Sequence, residues 1–143
     1  MTQRLLLPVD GSPYAARAVE HVIGKARLAG PGAFEIHLVN VQPQLSGGIT
    51  SFVSRDQVAG FHRDESAKEL AEARALLDAA GVPYQAHAEV GPLAETIVAV
   101  ADRMRCDEIV MGTRGRTALA DLLLGSTVTR VVHLAKVPVL LVK

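Results

Sequence analysis

Short apolar runs alternate with amphipathic stretches along the whole chain. Residues 5–9 form a continuous apolar run, which is typical of a strand buried on both faces. In residues 13–28 the apolar positions follow the spacing of one helical face. Ser12 is a favourable N-cap residue, and Pro13 fits the first position of a helix. The chain is therefore predicted to begin with a buried strand and an amphipathic helix.

The alternation continues to the last residue. Residues 34–41 predict a second strand, residues 58–80 a second helix, and residues 84–90 a strand near a sheet edge, because their side chains alternate in polarity. Residues 93–103, 107–111, 126–135 and 137–142 predict a helix, a strand, a helix and a final strand. Residues 42–58 carry Pro43, Gly47 and Gly48 and are predicted to be a loop. A loop of that length in a compact domain is often functional.

The predicted order of elements is characteristic of one fold class. Strands alternating with helices form a parallel sheet covered on both faces, with right-handed crossovers. No repeat, low-complexity tract or linker interrupts residues 1–143, so one domain is predicted. Ligands of such sheets bind beyond the carboxyl ends of the strands, where the strand order reverses. Residues 10–12, residues 40–41 and the loop from Gly112 follow predicted strands, and we expect them to line one crevice.

Composition excludes several classes of function. The formal net charge of the 143 residues is zero, so the chain lacks the basic surface of nucleic-acid and anionic-membrane binders. Aromatic residues make up only 3%, which leaves few stacking platforms for single strands. The first ten residues do not have the pattern of a signal peptide, and no run approaches transmembrane length. Together with a single cysteine, these features predict a cytoplasmic protein with no nucleic-acid or membrane partner.

The strongest motif is a set of glycines between a strand and a helix. Gly112 and Gly115 are followed, after nine residues, by Gly125 and Ser126, which is the spacing G-x2-G-x9-G-[S/T]. Glycine permits positive φ and lets an anion approach the backbone closely. Ser126 is expected to cap the next helix, whose N-terminus favours negative charge. The motif predicts a phosphate site.

Other nucleotide motifs do not fit. A Walker A loop needs a lysine before its serine or threonine, and Gly125 stands there instead. The dinucleotide pattern G-x-G-x-x-G is also absent. No arginine finger or Walker B strand is evident, so we expect binding with at most weak hydrolysis.

These residues resemble the universal stress protein family, in its nucleotide-binding branch, over essentially the whole chain. The resemblance is carried by LPVDGS at residues 7–12, by the glycine motif, and by KVPVLLV at residues 136–142. It implies a Rossmann-like, adenine nucleotide alpha hydrolase-like fold, with a doubly wound parallel α/β sheet of five strands in the order 3-2-1-4-5. It also implies an ATP-binding protein that acts as a stress-response module or switch.

The resemblance assigns site residues by position. It implies phosphate contacts for Gly112, Gly115, Gly125 and Ser126, with helix-start N–H groups from Thr127 and Val128. It implies adenosine contacts for Pro8, Val9 and Asp10, adenine contacts for Val39 and Val41, and a place under the ribose or base for Met111. Arg114 and Arg116 occupy variable positions of the motif, and their phosphate contacts are our inference from charge. Mg or Mn is expected with ATP, and Asp10 is the candidate metal ligand.

Alternatives remain open from the residues alone. Asp10 could equally form an Asx-turn that starts the first helix. The chain could be a slow metal-dependent ATPase, a ligand-free dimeric interaction protein, or a receptor for AMP or another adenine nucleotide. Members of the family often dimerise through their final strands, which implies a homodimer through Val139, Leu140, Leu141 and Val142. The five histidines lie on different elements and predict no metal site, and Cys106 is expected to be a buried hydrophobe.

Overall fold

A computed structural model describes residues 2–115 and 124–143. The strands in this part of the chain are β1 (Gln3–Pro8), β2 (Phe34–Gln42), β3 (Tyr84–Val90), β4 (Glu108–Gly112) and β5 (Val139–Val142). The helices there are α1 (Pro13–Ala29), α2 (Gly47–Thr50), α3 (Arg55–Ala80), α4 (Leu93–Arg103) and α5 (Ser126–Leu134).

The five strands form a parallel sheet in the order β3-β2-β1-β4-β5. This confirms the expected fold class and strand order. β1 pairs with β2 on one side and with β4 on the other, so the order reverses between β1 and β4. The carboxyl ends of these two strands diverge there and leave a crevice above the sheet. Both outer strands, β3 and β5, are sheet edges, as the alternating pattern of residues 84–90 predicts for β3.

A hydrophobic core lies on each face of the sheet, because successive strand side chains point to opposite faces. Leu5 and Leu7 of β1 pack with Val19 and Val22 of α1 and with α3. Leu6, between them in sequence, packs on the other face with α4 and α5. The continuous apolar run at the start of the chain is thus explained by burial on both faces.

Helix α1 begins as its sequence predicts. The side chain of Ser12 accepts a hydrogen bond from the backbone N–H of Ala15 at 3.2 Å, and Pro13 is the first helical residue. The cap is buried, with Ser12 3% exposed. It holds the first turn of α1 directly against the end of β1, beside the crevice.

The prediction of a continuous loop over residues 42–58 is wrong in part. Ser46 caps the short helix α2, and α3 begins at Arg55, three residues earlier than expected. The side chain of Ser54 accepts the N–H of Gln57, and the side chain of Gln57 accepts the N–H of Ser54. This capping box offsets the lack of an apolar face in the first turn, which is why periodicity missed it.

None of the helices in the described part of the chain is both long and apolar enough to cross a membrane.

Candidate functional site

A cavity of about 740 Å³ opens above the carboxyl ends of the strands, where β1 and β4 diverge. Thirteen of the fourteen site residues named from sequence line it, and the fourteenth, Arg116, lies outside the described residues. The thirteen are Pro8, Val9, Asp10, Val39, Val41, Met111, Gly112, Arg114, Gly115, Gly125, Ser126, Thr127 and Val128. They come from four segments of the chain that only the fold brings together.

Sequence reasoning missed the other residues of the lining, which are Ala15, Gln42, Pro43, Glu65, Glu69, Leu93 and Ile97. Gln42 and Pro43 directly follow Val41 at a strand end, and that position is the signal that could have indicated them. Nothing local to α3 could have indicated Glu65 and Glu69. They reach the cavity because α3 packs across β2, which depends on tertiary contacts.

The motif glycines provide space rather than unusual backbone angles. None of the three has positive φ, contrary to the expectation from the sequence. A Cβ on Gly112 would lie 2.7 Å from the Cβ, carbonyl carbon and carbonyl oxygen of Tyr14. A Cβ on Gly115 would lie 2.8 Å from Oδ2 of Asp10. The absence of side chains therefore lets the end of β4 and its loop lie against α1 and Asp10.

The two halves of the glycine motif are joined by backbone hydrogen bonds. The N–H of Gly125 donates to the carbonyl of Thr113 at 2.9 Å, and the N–H of Thr113 donates to Val142 at 3.2 Å. A Cβ on Gly125 would lie 3.4 Å from the Cα of Arg114. The start of α5 is thereby held against the loop that follows β4.

The N-terminus of α5 faces this cavity without a side-chain cap. Gly125 is its N-cap, and Ser126 is its first helical residue, so the prediction that Ser126 caps this helix is wrong. The first intrahelical bond runs from Thr129 to Gly125. Among the described residues, the N–H groups of Ser126, Thr127 and Val128 have no backbone acceptor. Such groups, together with the helix dipole, form an anion site.

Asp10 forms an Asx-turn and also lies in the lining of the cavity. Its Oδ1 accepts a hydrogen bond from the N–H of Ser12 at 3.0 Å, which is the Asx-turn. Its Oδ2 lies on the side of Gly115, and the residue lines the cavity. The turn therefore orients a carboxylate toward the glycine loop.

A buried polar network stands behind the cavity wall. Asn40 is 1% exposed and donates from Nδ2 to the carbonyl of Val9 at 2.8 Å and to Oε1 of Glu69 at 2.9 Å. Its Oδ1 accepts from the hydroxyl of Ser66 at 2.6 Å and from Nε2 of Gln42 at 2.9 Å. The amide thus ties β1, β2 and α3 together beneath the pocket.

His37 and His87, which are 50 residues apart in the sequence, are neighbours in the sheet. His37 Nε2 lies 2.8 Å from Oε1 of Glu35, and His37 Nδ1 lies 2.9 Å from Nε2 of His87. Desolvation, followed by the charges of His37 and Arg103, lowers the pKa of His87. This cluster does not line the cavity, and residues 2–115 and 124–143 contain no group of three side chains able to hold a metal ion.

The sequence as a whole matches a known family. The profile of the universal stress protein family fits residues 1–143. The chain belongs to the universal stress protein family. Universal stress protein MJ0531 of Methanocaldococcus jannaschii is similar to it, with 31% identity over 99% of this chain and 82% of that protein.

Solved structures share the fold over its full length. Protein MJ0577, a universal stress protein of the same archaeon, superposes with a TM-score of 0.84 at 28% identity and covers 100% of this chain and 96% of its own. A universal stress protein in complex with cAMP superposes with a TM-score of 0.70 at 25% identity. The superposition with the cAMP complex covers 99% of this chain and 97% of that one.

Proposed function

We propose that this universal stress protein binds an adenine nucleotide, with ATP as the expected ligand, and acts as a nucleotide-dependent stress-response module. The observation that carries the proposal is the single cavity at the strand-order reversal, which combines the glycine loop, the uncapped start of α5 and an apolar end. The cAMP complex of a family member at 25% identity supports an adenine nucleotide as the ligand class.

The lining divides the cavity into two chemically different ends. The N–H groups of Ser126, Thr127 and Val128, with Gly112, Gly115 and Gly125, offer backbone donors to phosphate oxygens. Val39, Val41 and Met111 offer apolar surface to the flat adenine ring, beside Pro8 and Val9. Arg114 is the described cation at the phosphate end. A nucleotide is a ligand with this same division, since a charged tail is joined to an aromatic base.

The position of Asp10 supports a divalent cation with the nucleotide. Its Oδ2 lies beside Gly115, so phosphates bound at the glycine loop would face a carboxylate. A carboxylate and a phosphate that face each other repel, because both are negative. A Mg²⁺ or Mn²⁺ ion bound between them would attract both groups. Asp10 and phosphate oxygens would be the ligands, with water completing the shell.

Calorimetric titration of nucleotide-free protein with ATP, AMP and cAMP, each with and without Mg²⁺, tests the proposal. We expect saturable ATP binding that is tightened by Mg²⁺ and lost in Gly115→Val and Gly125→Val, whose side chains would fill the phosphate end. Gly24→Ala, on the outer face of α1, is the matched control and should bind like wild type. Unchanged affinity in both valine variants would refute the pocket assignment.

Two further measurements separate the remaining alternatives. Phosphate release that disappears in Asp10→Ala would show that the protein is a slow ATPase rather than a binding module.

The proposed homodimer rests on β5, an edge strand whose residues Val139–Val142 remain half-buried in one chain. An unpaired apolar edge is a template for a second strand. Light scattering at micromolar concentration should therefore give twice the 15.2 kDa mass of one chain.

A further inference from the structure

A second cavity, of about 470 Å³, lies between the start of α3 and the end of β3. It is bounded by the segment before α3, by the first three turns of that helix, and by the end of edge strand β3. Its lining residues are Thr50, Val53, Arg55, Val58, Ala59, His62, Arg63, Ser66, Ala88, Glu89 and Val90. None of them lines the nucleotide cavity. The volume is in the range of small-molecule sites.

The walls of this second cavity are largely apolar. Val53, Val58 and Val90 line it, and Val53 and Val90 are 36% and 45% exposed. β3 is the last strand on this side of the sheet, so no further strand covers Ala88 and Val90. An apolar ligand would therefore remove exposed hydrocarbon surface from water.

His62 lines the cavity and carries a buried polar atom without a hydrogen-bond partner among residues 2–115 and 124–143. The residue is 8% exposed, and its Nδ1 has no hydrogen-bond partner in the part of the chain that the structure describes. The hydroxyl of neighbouring Ser66 donates to Asn40 at 2.6 Å and forms no hydrogen bond with this nitrogen. A buried polar atom without a partner destabilises a fold unless something else satisfies it.

The described charged side chains that line the cavity are two arginines and one glutamate, so this lining has a net positive charge. Arg55 and Arg63 line it, and neither forms an ion pair with any other described residue. The one carboxylate of the lining, Glu89, is paired with Arg103. Arg55 is also the first residue of α3, where the helix dipole favours an anion over a cation.

We propose that this second cavity binds a small amphipathic carboxylate. The hydrocarbon part would lie against Val58, Ala88 and Val90, and the carboxylate would pair with Arg55 and Arg63. A ligand oxygen would accept the hydrogen bond that His62 Nδ1 lacks. A single ligand of this class would cover the apolar wall, pair with the two arginines and satisfy the ring nitrogen of His62. The proposal does not rest on the proposed nucleotide site, since the two cavities share no described lining residue.

Octanoate is the probe, with 1-octanol as the uncharged match, each titrated into the ¹⁵N-labelled full chain and followed by NMR. We expect saturable octanoate shifts in the amides of residues 50–66 and 88–90, with those of Gly112 and Gly125 unchanged. Octanol should bind more weakly, because the arginines act only on the anion. Octanoate shifts centred on the nucleotide cavity, octanoate shifts that do not saturate, or equal affinity for the two probes would overturn the proposal.

Exposed arginines allow the charge to be tested without disturbing the fold. Arg55→Gln and Arg63→Gln should each weaken octanoate binding about three- to tenfold and leave octanol binding unchanged. Arg27→Gln, at the end of α1, is the matched control and should have no effect. His62→Leu should keep the fold and reduce the preference for octanoate over octanol. Octanoate affinity unchanged in both cavity arginine variants would also overturn the proposal.

Discussion

Adding one methyl group at Gly112 should destabilise the protein, although the same change at Gly24 should stabilise it. The new Cβ would lie 2.7 Å from three atoms of Tyr14, and two of these belong to the backbone. Backbone atoms cannot rotate away as a side-chain end can, so β4 and α1 would have to separate. Overpacking of this kind costs about 1–3 kcal/mol.

Gly24 gives the opposite sign for the same chemical change. It lies in the middle of α1, and no heavy atom stands within 4 Å of its added Cβ. Alanine is favoured over glycine in a helix interior by about 1 kcal/mol. Gly24→Ala should therefore stabilise the protein where Gly112→Ala destabilises it.

Urea unfolding, followed by far-UV circular dichroism, measures both effects. For a domain of this size, 1 kcal/mol corresponds to about 2–4 °C in Tm, so thermal scans should show a fall of about 2–12 °C for Gly112→Ala and a small rise for Gly24→Ala. The urea m-value should stay the same, since both variants expose the same surface on unfolding. A Gly112→Ala variant as stable as wild type would refute the steric explanation of the motif.

Three other predictions test the core and the polar clusters. Burial raises the pKa of the Cys106 thiol to about 11, so a thiol reagent at pH 8 should react slowly until urea unfolds the chain, and prompt reaction of the native protein would contradict this. The pKa of His87 is lowered on folding, so its contribution to stability is present above the unfolded value of 6.5 and lost as pH falls below it. The urea midpoint should therefore drop between pH 7.5 and pH 5, and less so in His87→Gln; equal slopes would refute this linkage. Asn40→Ala leaves several buried polar atoms without partners and should lower the free energy of unfolding by about 2–4 kcal/mol, measured by urea titration, whereas a loss under 1 kcal/mol would mean that water replaces the amide.

Local sequence determined most of the elements of this protein and their arrangement. Runs such as Leu5-Leu6-Leu7 and the period of α1 are encoded within a few residues, and alternation of strands with helices leaves little choice but a parallel sheet. The glycine spacing then pointed to the strand ends. These signals are short-range, and they indicated residues 10–12, residues 40–41 and the glycine loop as the lining of one crevice. The resemblance to the universal stress protein family added the other residues among the thirteen that line the main cavity.

Tertiary structure decided what depends on register between distant segments. His37 and His87 meet because β2 pairs with β3 in one register, and a shift of one residue would point one ring to the other face. Glu65 and Glu69 reach the cavity only because α3 crosses β2. Position 112 requires glycine because the backbone of Tyr14 lies against it. Tyr14 is 98 residues earlier in the chain (112 − 14), so the sequence around Gly112 does not indicate this contact. Periodicity reports which face of an element is buried, whereas the atoms that meet there are set by packing between elements.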